Sequence, residues 1–155
     1  MVDFFCNKQL IYNVMITKFK IFETINVKIN IPQDVLNKLS NSLSIVAYKG
    51  TKRDEKKHKN YKSIRIDTID GYYNENKQMT NDYLFKIKMS NKDQIEAKYS
   101  NRNDLGGVIE NSIYVEINGE PVYHMEQDDF TIDSFILKIG TEYKKYIENK
   151  KWKIR

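Results

Sequence analysis

The 155-residue chain predicts an α+β fold, an antiparallel sheet of about five to seven strands with two helices packed on one face. Three observations lead there. Apolar residues alternate with polar ones in several separate runs, as half-buried strands require. A Pro-initiated stretch after one of those runs carries a short apolar stripe at helical spacing. A longer stripe of the same kind occupies the C-terminal quarter. This length is the usual size of one domain, so residues 1–155 are expected to share a single core.

In "ETINVKINIPQDVLNKL", Ile25, Val27, Ile29 and Ile31 alternate with Asn26, Lys28 and Asn30, which predicts a strand. Pro32 stops it and suits a first helical turn, so a helix is expected over about residues 32–41, buried through Val35, Leu36 and Leu39. The earlier segment from Leu10 to Phe22 is rich in strand formers but changes parity, the pattern of a long strand with a bulge. "LSIVAYKG" predicts a buried strand ending at Gly50, followed by a Lys-rich loop, "TKRDEKKHKNYK". "SIRIDTID" resumes alternation, "GYYNENKQMTN" reads as a loop, and "DYLFKIKMS" places Tyr83, Phe85, Ile87 and Met89 on one face with Lys86 and Lys88 opposite. "NKDQIEAKYSNRNDLGG" is open between a short helix and a loop.

The strongest local pattern is a hairpin. Ile113, Val115 and Ile117 alternate with Tyr114 and Glu116, and Asn118-Gly119 suits a two-residue turn because both residues accept positive φ. Pro121 donates no ladder hydrogen bond, so the returning strand is expected to be short or at an edge. A helix over about residues 131–149 follows, its stripe made by Ile132, Phe135, Ile136, Ile139, Tyr143, Tyr146 and Ile147. Acids precede it and lysines end it, as the helix dipole favours. Gly140 inside it costs about 1 kcal/mol against Ala. The buried stripe offers on the order of 10 kcal/mol gross, enough to carry that defect.

The charge is unevenly spread. The net +5 divides into +7 over residues 1–63, −7 over 64–143 and +5 over 144–155. Between Arg102 and Lys138 the chain holds eight acids and no Lys or Arg. Such asymmetry bears on partners more than the total does. If Tyr114, Glu116, Glu120, Tyr123, Glu126, Asp128 and Asp129 project together from the hairpin and helix start, they make an acidic docking face. Tyrosines would anchor it and a protein with a basic surface would be its partner.

Catalytic patterns are scarce. No phosphate-binding glycine loop, paired-cysteine metal motif or serine nucleophile motif occurs, and no cofactor or metal is expected. "DTIDGYYNENK" has the outline of a calcium loop, but Ile69 stands where an oxygen ligand belongs, so an Asp-Gly turn is the simpler reading. His124 with Glu126, Asp128 and Asp129 could be drawn as an acid–base or metal cluster, against which stands an ordinary hairpin-to-helix connection with exposed polar groups. Cys6 is the only cysteine, so no internal disulfide is possible. With neither a signal-peptide pattern nor a long apolar run, a cytoplasmic protein without membrane contact is expected.

The ending "SIYVEINGEPVY…DDFTIDSFILKIGTEYKKYI", an acidic Asn-Gly hairpin running into an amphipathic helix, resembles the tail of small bacterial immunity proteins. The likeness covers roughly the last third of the chain. It implies a non-enzymatic inhibitor, of the immunity or phage-defence-antagonist type, that covers a basic site on its target. The alternative is a nucleic-acid-binding protein or small nuclease toxin. It would use the basic loop, with Lys52, Arg53, Lys56, Lys57, Lys59 and Lys62 on phosphates and Tyr61 stacking on bases.

Overall fold

Residues 25–49, 61–76, 80–103, 109–127 and 131–154 are described by the computed structural model. In chain order they form β1 (Asn26–Val27), α1 (Gln33–Ser42), β2 (Ile45–Lys49), β3 (Tyr61–Ile64), β4 (Ile66–Asn76) and β5 (Thr80–Met89). After these come β6 (Gln94–Asn103), β7 (Ile109–Ile117), β8 (Glu120–Gln127), α2 (Ile132–Asn149) and β9 (Trp152–Ile154). The fold is α+β. A six-stranded sheet runs in the order β1-β4-β5-β6-β7-β8, and a three-stranded sheet in the order β3-β2-β9. The long sheet is mixed only at its margin, where β1 lies parallel to β4; every other pair is antiparallel.

Side chains on the inner face of the long sheet line up in rows across the strands. One row is Ile69, Ile87, Ile95 and Ile117; the next is Gly71, Phe85, Ala97, Val115 and Tyr123; the third is Tyr73, Tyr83, Tyr99, Ile113 and Met125. Phe85 fits because its flanking partners, Gly71 and Ala97, are the smallest available. Phe135 of α2 then stacks on Phe85 at 5.7 Å and tilts against Tyr99 at 5.4 Å. Both helices contribute to the same apolar cluster.

Two expectations change. The segment left open between helix and loop is β6, with Ile95, Ala97 and Tyr99 buried and Lys98 exposed. The segment read as a loop from Gly71 is mostly the second half of β4. Gly71 is needed there because its φ of 120° and a close approach to the Leu84 backbone exclude a side chain. The expected strand from Ile25 to Ile31 keeps its in–out burial pattern but pairs only at Asn26 and Val27. The bulged strand expected over Leu10–Phe22 lies outside the described residues.

Helix α2 starts at Thr131, whose hydroxyl accepts from Ser134 N–H at 3.2 Å, with Asp133 in its first turn. Lys38 of α1 pairs with Asp133 at 2.8 Å. Gly140 is no defect. A Cβ there would overlap the Ser42 hydroxyl and lie 2.7 Å from the Ser42 carbonyl oxygen, so the glycine lets the two helices approach. Ser42 Oγ donates to the Ile136 carbonyl at 3.0 Å across this contact.

Candidate functional site

The β7–β8 hairpin turns at Asn118 and Gly119, with φ of 51° and 83°. Asn118 does more than turn the chain. Its Oδ1 accepts from Gln94 N–H at 2.8 Å, and its Nδ2 donates to Asp93 at 3.0 Å and to the Tyr146 hydroxyl at 2.8 Å. The hairpin tip is thereby tied to the β5–β6 turn and to α2. Tyr143, fully buried, donates to the same Asp93 at 2.8 Å.

The ladder of this hairpin slips by one residue. Val115 faces Tyr123 and Glu116 faces Pro121, leaving Val122 as the extra residue of a bulge. Without that slip Tyr123 would stand opposite Tyr114 on the outer face. With it, Val122 and Tyr123 both pack against the core, and His124 takes the place beside Tyr114. The seven residues expected to act together are therefore divided. Tyr114, Glu116 and Glu126 lie on the outer face of the sheet, while Glu120 and Tyr123 lie on the helix side. Asp128 and Asp129 are outside the described residues.

On the outer face Tyr114 donates its hydroxyl to Glu116 at 2.8 Å and meets the His124 ring edge-on at 6.1 Å. The bond to Glu116 holds the Tyr114 phenol above its usual pKa, because ionising it would place two negative oxygens together. His124 and Glu126 are 62% and 78% exposed and 4.0 Å apart. On the helix side, Lys138 lies over the Tyr123 ring at 4.2 Å. Glu120 borders a cleft of about 420 Å³ with Val122, Tyr146 and Lys150. Glu142, buried in the wall of that cleft, is flanked by Lys138 at 3.5 Å and Lys145 at 3.6 Å.

The outer face extends well beyond the hairpin. A row of Tyr72, Leu84, Lys98, Tyr114 and His124 crosses β4 to β8. Beside it runs Asp70, Lys86, Glu96 and Glu116, and on the other side Asn74, Asp82, Ser100, Ser112 and Glu126. Tyr72, Leu84 and Tyr114 are each partly exposed. A groove of about 320 Å³ is lined by Lys86, Lys88, Gln94, Glu96 and Glu116. No ion pair within 4 Å joins these lysines to these glutamates among the described residues. Sequence reasoning missed Glu96 and Lys98, because their strand was not recognised, and so missed that bases share the face with the acids.

Of the basic loop, Lys52, Arg53, Lys56, Lys57 and Lys59 lie outside the described residues, as do Cys6 and His58. Lys62 is exposed on β3, and the Tyr61 ring meets Tyr48 edge-on at 5.6 Å. The outlined calcium loop is part of β4, and no cluster of His, Cys, Asp and Glu among the described residues could hold a metal ion. Among the same residues, no helix is long and apolar enough to cross a membrane. Comparison with protein-family models, curated proteins and solved structures finds no match for this chain.

Proposed function

We propose that the chain is a non-catalytic binding protein whose partner docks on the outer face of the long sheet, at the β7–β8 end. The observation that carries this reading is one row holding partly exposed Tyr72, Leu84 and Tyr114, with Lys98 between Leu84 and Tyr114, and with Glu96, Glu116 and Glu126 on either side. Aromatic and aliphatic contact area interspersed with charged groups that can meet opposite charges is the composition of a protein-docking surface. The carboxylates at the β7–β8 end favour a partner with basic side chains and would speed its approach. Within this class the reading is an inhibitor, of the immunity or phage-defence-antagonist type, acting by covering a basic site.

The division of the hairpin supplies the test. The immobilised chain should retain a basic protein from an extract of the cells that produce it. Glu116→Lys with Glu126→Lys should reduce retention at least about tenfold. Glu120→Lys, on the other side of the sheet, should leave retention as it was. Equal retention by the double variant would overturn the reading.

A further inference from the structure

We propose that, without its partner, the outer face is occupied by a second copy of this chain, related by a two-fold axis running along β6. The inference rests on that face being a docking surface and adds what holds it beforehand. Strand β6 is the middle of the five long strands, with β4 and β5 on one side and β7 and β8 on the other. A half-turn about an axis along β6 lays β5 of one copy over β7 of the next and keeps each row over itself. Residues that share a row then meet across the interface. Lys86 falls over Glu116 of the second copy, and Glu116 over its Lys86. Leu84 falls over Tyr114, and Tyr72 over His124.

Away from the axis the face is thus complementary to itself in charge and apolar content, as an isologous contact requires. On the axis Glu96 meets Glu96 and Lys98 meets Lys98 of the second copy, each one pleat from an opposite charge, so the attraction between the copies comes from the two Lys86–Glu116 pairs off the axis. Lys86, Glu96 and Glu116 line the outer-face groove without ion pairs to one another, and Glu116, which takes the Tyr114 hydroxyl on one oxygen, keeps its other oxygen for the Lys86 of the second copy.

Size sets the strength. Five strands and three outward rows cover about 500 Å² per copy, about 1,000 Å² in all, at the small end for a specific interface. Pairing should therefore be weak, dependent on concentration, and displaced by a tighter partner.

Sedimentation equilibrium from about 1 µM to about 1 mM tests this directly. The parent should pass from monomer to dimer and stop there. Lys86→Glu and Glu116→Lys should each weaken pairing roughly tenfold or more, and the two together on one chain should restore it, because the opposed charges are merely exchanged. A parent that stays monomeric, an assembly larger than a dimer, or a double variant no better than the singles would overturn the proposal. Partner retention separates it from the functional reading. Lys86→Glu should raise retention of a basic partner by freeing a more acidic face, whereas Glu116→Lys should lower it. A monomeric parent that still retains the partner defeats only the pairing. A dimer that retains no basic protein defeats only the functional reading.

Discussion

Ser42, the last residue of α1, sits directly against Gly140, at the middle of α2, and its hydroxyl bonds the Ile136 carbonyl one turn earlier at 3.0 Å. This contact reverses the usual effect of a helical glycine. Propensity alone would make Gly140→Ala stabilising by about 1 kcal/mol. The added methyl instead meets the Ser42 hydroxyl and carbonyl, and overpacking of this kind costs about 1–3 kcal/mol. Urea unfolding should show Gly140→Ala no more stable than the parent and less stable by up to about 2 kcal/mol net. A more stable variant would mean the helices can move apart freely.

Asn118 links three parts of the molecule through one side chain. Asn118→Ala should cost about 2–4 kcal/mol, since it removes three hydrogen bonds and leaves a non-glycine residue at positive φ. Asn118→Gly keeps the backbone freedom and should cost less. The gap between the two variants reads the backbone term, and the gap between Asn and Gly reads the bonds. Equal stability of all three in urea unfolding would show that the network contributes nothing.

Alkaline stability follows from two buried phenols. Burial, followed by the bond to Asp93, raises the pKa of Tyr143 well above its usual value. Burial, followed by neighbouring Tyr73, does the same for Tyr83. Below pH of about 10 these tyrosines are protonated in both folded and unfolded chains, so their contribution is complete. Above it the unfolded chain loses protons that the folded chain keeps, and stability falls as pH rises. Each group contributes at most about 1.4 kcal/mol per pH unit, less where solvent screens it. Urea midpoints measured from pH 8 to 11 should decline above about pH 10, and Tyr143→Phe should decline less steeply. An unchanged slope in that variant would remove Tyr143 from the explanation.

Much of the architecture was legible in the residues, for identifiable reasons. The stripe from Ile132 to Ile147 and the Asn118-Gly119 turn are local signals, and both elements appear where they were expected. Strand β6 was not legible, because Glu96, Ala97 and Lys98 are good helix formers and the alternation passes through a small alanine. Its strand character comes from neighbours on both sides, which propensity does not contain. Gly71 looked like the start of a loop, whereas it answers a close approach by Leu84 from the next strand. The candidate face was half legible. Parity counted back from the turn holds for Tyr114 and Glu116, but the slip at Val122 exchanges the sides of Tyr123 and Glu126, and nothing before the fold forms reveals that slip beyond Pro121 beside it.

Among the described residues, β8 is the last strand of the long sheet and no strand pairs with its outer edge, the position from which proteins polymerise. Here Pro121 withholds a donor, the bulge at Val122 bends the ladder, and Glu120 and Glu126 would repel an identical strand alongside. Growth sideways into fibrils is thereby discouraged at the same hairpin whose outer surface is proposed for docking. Docking across the sheet, as proposed, would then carry no tendency to extend along it.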